Sequence, residues 1–329
     1  MQPYAFRPPW PLKNGMIQTL LSSSSLRARG ANPMRANARP MIIDTHGGVR
    51  LLGYLSLPQN QNPSGLVILL HGWEGSADST YILNTGKFLY QHGYAVFRLN
   101  FRDHGNSHHL NEGIFYAVLF DEVFGAVRRI AEGDATLPIH IVGFSLGGNF
   151  ALRIARKCSR STIDNLKSIV AISPVLDPDK ATDRIDRNPF IRQYFVKKWL
   201  RSLSTKQTLY PRRYNFTDIM KLNSIRDITA ALLERYSPFN SVREYFRGYT
   251  LVDAALVDLG VPTTLLIAED DPIIPIEDFR RLELNGSVRL AIQRYGGHNG
   301  FLSGPLLKSW YEHPLVSLFT EAAGENENK

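Results

Sequence analysis

One cysteine, Cys158, stands among 329 residues, which excludes an intrachain disulfide and agrees with a reducing compartment. No stretch approaches the roughly 18 consecutive apolar residues of a membrane span, so the chain is expected to be cytoplasmic, with no more than weak association at a membrane surface. No dense Lys/Arg block with interleaved aromatics is present. The formal charge of +8, from 38 basic and 30 acidic side chains, is therefore scattered and does not argue for nucleic acid. Acidic residues are missing from residues 1–43, where Arg7, Lys13, Arg27, Arg29, Arg35 and Arg39 accompany four serines from Ser22. That composition is found in transit peptides. Against it, there is no continuous apolar region, and Pro3, Pro8, Pro9, Pro11 and Pro33 would break a targeting helix. Residues 1–48 are read instead as an extended arm, with Phe6, Trp10, Ile17 and Leu20 packing on the main domain. No internal repeat is visible.

What is present is an alternation of short apolar runs and helix-compatible segments. Val49 to Leu57 ends at Pro58, and an Asn/Gln/Pro/Ser/Gly turn cluster follows. Leu66 to Leu70, Ala95 to Phe101, Ile139 to Phe144, Ile169 to Ser173, Thr263 to Ala268 and Val288 to Arg294 read as strands. Helices are expected at Tyr81 to His92, Phe115 to Glu132, after Ser145, and near Leu315 to Ala323, before a polar tail from Glu325 to Lys329. Strand and helix in turn predict a mostly parallel sheet covered on both faces, with ligands at the carboxyl ends of the strands. The rhythm stops between residues 174 and 255. That segment is assigned as an inserted helical cap, between core portions 49–173 and 256–329. Phe190, Ile191, Tyr194, Phe195 and Trp199 share one helical face of it, with Arg192, Lys197, Lys198 and Arg201 elsewhere.

The chemistry concentrates at Gly143-Phe144-Ser145-Leu146-Gly147-Gly148, on a strand-to-helix junction. Glycine on either side of a serine there allows a turn too tight for a Cβ, and the strained serine exposes its Oγ, as a nucleophile elbow requires. A serine hydroxyl needs a base, and the base an orienting acid. The later post-strand loops supply Glu269-Asp270-Asp271 and, between glycines, His298. From the residues alone the acid stays open among Glu269, Asp270 and Asp271. Two donors for a developing oxyanion are expected in the backbone N–H groups of Leu146, just after the serine, and Trp73, in the glycine-punctuated loop His71-Gly72-Trp73-Glu74-Gly75. His104, His108 and His109 cluster near Asp103 and Glu112, but their spacing matches no metal-ligand set. No metal and no cofactor are expected.

These motifs, with Leu70-His71-Gly72-Trp73-Glu74-Gly75-Ser76, Asp270-Asp271-Pro272, Gly296-Gly297-His298-Asn299-Gly300-Phe301 and the arm's Asn14-Gly15-Met16-Ile17-Gln18-Thr19-Leu20, resemble the YheT-like branch of the α/β-hydrolase superfamily. The stretch from Asn100 to Ser107 is similar to a post-strand loop of that superfamily, with Asn100 and Asp103 replacing the usual Asp and Gly. The resemblance implies an α/β-hydrolase fold with an inserted helical cap, and a serine hydrolase of carboxylic esters, acting on short- to medium-chain acyl esters or acylglycerol-like lipids. It carries Ser145, Asp271 and His298 over as a triad, since the family's small-x-x-Asp-x-x-aliphatic-Pro pattern puts Asp271 in register. The rival readings are an acyltransferase or thioesterase using the same residues, and a non-catalytic binding protein of the same fold. The partner is a small-molecule or lipid-like ester.

Overall fold

The computed structural model describes residues 5–59 and 62–324, so the expected polar tail lies outside the described residues. Among these residues eight strands form one sheet: β1 (Arg39–Asp44), β2 (Arg50–Ser56), β3 (Leu66–Leu70), β4 (Ala95–Leu99), β5 (Ile139–Phe144), β6 (Leu166–Ile172), β7 (Thr263–Ala268) and β8 (Val288–Gln293). Their order is β1-β2-β4-β3-β5-β6-β7-β8. β1 pairs antiparallel with β2, and β2 antiparallel with β4; every pair from β4 to β8 is parallel.

Side chains alternate across the sheet with the two-residue period of a strand. Leu66, Ile68 and Leu70 of β3 face one apolar core, and Val67 and Leu69 face the other. Helices α3 (Thr80–Gln91) and α10 (Glu312–Gly324) cover the second core; α4 (Phe120–Glu132) and α5 (Leu146–Cys158) cover the first. Both faces being covered, β3, β4 and β5 are buried along their whole length. This is why β3 reads as an unbroken apolar run, while β4 and β5 each carry one buried polar side chain, Arg98 and His140.

The arm departs from the expectation of an extended segment, and of its four expected anchors only Phe6 is buried. It contains α1 (Gly15–Ser22), whose first turn is capped by the Asn14 side chain accepting from the N–H groups of Met16 and Ile17, the four-residue α2 (Pro33–Ala36), and β1, which places the start of the sheet before residue 49. Phe6 is buried, edge-on to Phe301. Trp10 is 84% exposed, and Ile17 and Leu20 also face outward. α1 meets the core through Gly15, Gln18 and Ser22 instead, because its partner is a polar, glycine-rich backbone loop rather than an apolar surface.

Between β6 and β7 stand α6 (Pro178–Arg187), α7 (Pro189–Leu209), α8 (Ile225–Tyr236) and α9 (Val242–Arg247). Each starts at a side-chain cap, Asp177, Asn188, Ser224 and Ser241, and the first two are followed by proline at the opening helical position. Near its C-terminus α7 is fastened to the loop after β4. The buried Lys206 Nζ donates to Asp103 Oδ1 at 2.8 Å and to the Asn111 carbonyl at 2.6 Å, while Asp103 Oδ2 accepts from the Phe115 N–H. Removing one partner of such a pair leaves a buried charge uncompensated. Lys206→Met is expected to destabilise the protein by about 3–5 kcal/mol in urea unfolding; a loss below about 1 kcal/mol would show that α7 is held by its apolar contacts alone.

Candidate active site

Every loop at this site leaves a strand at its carboxyl end. Ser145 follows β5 with φ 54° and ψ −115° and begins α5. Such a conformation costs a non-glycine residue about 1–3 kcal/mol, and the neighbouring backbone leaves little alternative. A Cβ on Gly143 would collide with the Gly147 carbonyl, and one on Gly147 with the carbonyls of Leu70 and His71. The strained serine therefore projects its Oγ away from the sheet, at the mouth of two cavities.

His298 Nε2 lies 2.9 Å from Ser145 Oγ, and its Nδ1 lies 2.9 Å from Asp271 Oδ2. The other Asp271 oxygen accepts from the backbone N–H groups of Ile273 and Ile274 at 2.8 and 2.9 Å. With both carboxylate oxygens engaged, Asp271 presents a fixed acceptor to Nδ1–H and leaves Nε2 as the acceptor of the serine proton. The neighbouring carboxylates go elsewhere. Asp270 Oδ1 accepts from the Gly297 N–H at 2.8 Å, and Glu269 pairs with Arg280 at the surface. Of the three acids left open by the residues, only Asp271 touches the imidazole.

Trp73 and Leu146 also line the narrower cavity with Ser145. Among the described residues their backbone N–H groups donate to no protein acceptor. The loop carrying Trp73 is held by two buried imidazoles. His71 Nδ1–H donates to the Gly72 carbonyl and its Nε2 accepts from the Phe101 N–H; His104 Nδ1–H donates to the Arg102 carbonyl and its Nε2 accepts from the Glu74 N–H at 3.1 Å. Burial lowers both, His71 to about 4, so both rings are neutral and can accept as well as donate. His108 bonds to Ser202 on α7. The histidine cluster thus ties loops together rather than converging on one point.

Two residues on the arm also reach this site, Gln18 and Thr19, which the sequence marks only as part of the arm's resemblance motif. The His298 N–H donates to Thr19 Oγ1 at 2.8 Å, and Thr19 in turn donates to the Gly15 carbonyl. Gln18 is fully buried; its Oε1 accepts from the Leu302 N–H at 2.7 Å and its amide group donates to the carbonyls of Leu302 and Leu12. The loop they hold carries positive φ at Gly296, Gly297, Asn299 and Phe301. A Cβ on Gly297 would strike Gly15 and Gln18, so glycine permits the close approach. The signal was the Asn14-Gly15 cap followed by polar Gln18 and Thr19, but their partner lies some 280 residues away in the chain. Thr19→Val keeps the shape and removes both hydrogen bonds of the hydroxyl, of which the one from the His298 N–H is worth about 0.5–1.5 kcal/mol. The expected result is a kcat lower by roughly three- to ten-fold with KM little changed and a shifted pH profile. An unaltered profile would mean that the loop positions His298 without the arm.

The cavities differ in character. One, of about 100 Å3, runs beneath the cap and is lined by apolar side chains such as Trp199, Leu232, Leu233 and Phe246. The other is an open cleft of about 750 Å3 between the arm and the outer face of α7.

The profile of the family described as serine aminopeptidase, S33 (Hydrolase_4) matches residues 61–296. The chain belongs to this family. The architecture of this serine aminopeptidase S33 family member is the α/β-hydrolase fold. An esterase of Pyrococcus furiosus, Pf2001, superimposes with a TM-score of 0.58 at 18% identity, over 90% of this chain and 95% of that one. In sequence, the chain is 27% identical to the Synechocystis sp. protein named "Putative esterase slr0264", over 91% of this chain and 88% of that protein. It is 23% identical to phospholipase ABHD3 of Bos taurus, over 72% of this chain but 58% of the length of that relative. Among the described residues no helix is long and apolar enough to cross a membrane.

Proposed function

We propose that the protein is a serine hydrolase that cleaves carboxylic esters of short to medium acyl chains or acylglycerol-like lipids, within the YheT-like branch and in the cytoplasm. His298 takes the proton of Ser145, and Oγ adds to the ester carbonyl carbon. The N–H groups of Trp73 and Leu146 stabilise the oxyanion. The alcohol's C–O bond then breaks, its oxygen taking the proton from His298. Water gives a proton to His298 and adds to the acyl carbon, the Ser145–acyl bond breaks as the proton returns to Oγ, and the carboxylic acid leaves.

The observation that carries this reading is the hydrogen-bonded line Asp271–His298–Ser145, ending where an apolar cavity opens. The family's description names an aminopeptidase, which must recognise a charged amine beside the scissile carbonyl. The apolar cavity contains no carboxylate among the described residues, and so favours an uncharged acyl chain.

The test is a panel of p-nitrophenyl esters from about two to about sixteen carbons, set beside aminoacyl p-nitroanilides. Each buried methylene adds about 0.8 kcal/mol of binding. Rates are therefore expected to rise with chain length until the cavity is filled and then fall. Hydrolysis of the anilides ahead of every ester would overturn the ester reading.

A further inference from the structure

Helix α7 forms the wall between the two cavities, and its two sides differ chemically. Phe195 and Trp199, four residues apart, face the apolar cavity; Phe195 stands at the divide, stacked on Trp73 with ring centroids 5.4 Å apart. Tyr194, Lys198, Arg201 and Thr205 follow one another at helical spacings of four, three and four, and all line the open cleft.

The acids on the cleft wall are already engaged or suppressed. Asp78 accepts from Arg98 at 3.0 Å, and Asp103 from Lys206 at 2.8 Å. Burial pushes the Glu74 carboxyl up to about 8, with the charge of Lys198 opposing that shift. Burial also keeps His104 neutral and lowers His108 to about 4. The cations are not so matched. Lys198 Nζ donates to the Glu74 carbonyl at 3.0 Å and lies over the Tyr194 ring, which leaves ammonium N–H groups to spare. Arg201 is exposed, and among the described residues neither it nor Lys198 has a carboxylate within ion-pair distance. Two like charges one helical turn apart repel each other, and an anion between them reverses the sign of that interaction.

We propose that the alcohol side of the substrate carries an anionic group, a phosphate or a carboxylate, that sits between Lys198 and Arg201 while the acyl chain occupies the apolar cavity. The proposal rests on the ester-hydrolase reading of the same site, and it places the leaving alcohol in the open cleft, where it departs with its charge.

The experiment compares three esters of one acyl group at low salt: glycerol monobutyrate, the same ester with a terminal phosphate, and the butyryl ester of glycolate. A charge-assisted contact of about 1.5–3 kcal/mol predicts a kcat/KM for the charged esters higher by roughly ten- to a hundred-fold. A preference for the phosphate alone assigns that anion, and a preference for both assigns either. The ratio of charged to neutral ester is expected to collapse toward one, through KM, in the double variant Lys198→Gln with Arg201→Gln. Equal or better use of the neutral ester, or a preference that survives the double variant, would overturn the proposal. Calorimetric titration with glycerol phosphate reads the subsite without turnover. Binding that the double variant loses supports the anion site even if no ester is cleaved, and the failure then falls on the hydrolase reading; no binding together with no preference refutes the anion site.

Discussion

Ser145→Ala is expected to lower ester hydrolysis by roughly 10⁴- to 10⁶-fold while the protein remains folded. The hydroxyl is the only group removed, and what is left is the background from substrate binding and the N–H donors. Ser145 holds a positive φ inside a turn fixed by Gly143 and Gly147, and alanine has the same backbone preferences, so the turn should be retained. The assay must be read beside thermal unfolding. A midpoint close to wild type with activity gone is the expected pair of results. A loss of less than about ten-fold would remove Ser145 from the chemistry.

The second large effect separates two adjacent carboxylates. In Asp271→Asn one side-chain atom still has to meet the Ile273 and Ile274 N–H groups, and the amide oxygen is the atom that can. The NH2 group then faces His298 Nδ1 and forces the proton onto Nε2, the wrong tautomer for accepting from Ser145. A kcat fall of roughly 10⁴-fold is expected. Asp270→Asn keeps an oxygen for the Gly297 N–H. It also replaces a carboxyl whose pKa burial already raises, so its effect should stay within about ten-fold. Comparable losses in the two variants, or a larger one at Asp270, would reassign the orienting acid.

These predictions also mark where the sequence was legible. The strands are plain because β3 and β5 are buried on both faces, β3 with no polar side chain and β5 with His140 alone. β1 was not. Arg39-Pro40-Met41-Ile42-Ile43-Asp44 lies at the sheet edge with only Ile43 buried, and an edge tolerates the proline that argues against a central strand. Helix α4 begins at Phe120 rather than near Phe115 because the intervening backbone is claimed from afar: the Phe115 N–H by Asp103, the Ala117 N–H by Tyr245. No local pattern reports such partners.

The motif residues Ser145 and His298 were found through the strand-and-loop rhythm around them, and the fold brings them within hydrogen-bond distance. The choice of acid required the resemblance, since Asp270 and Asp271 differ only in which side of one turn each faces. Thr19 and Gln18 are legible as part of the arm's motif, but not as supports of the loop that carries His298. Of the four apolar residues expected to anchor the arm, Phe6 is buried, whereas Trp10, Ile17 and Leu20 point outward and α1 makes its contact through polar and glycine positions. On α7, the helical period places Lys198 and Arg201 off the aromatic face. In the folded protein they line the cleft beside Ser145.

The central claim is that Ser145 is a nucleophile activated by His298. The most direct measurement is treatment of the folded protein with a fluorophosphonate, followed by mass spectrometry of the digested chain. A phosphonyl group on Ser145, absent when His298 is replaced by alanine, is the predicted result. Modification at another residue, or equal labelling of Ser145 without the imidazole, would contradict it.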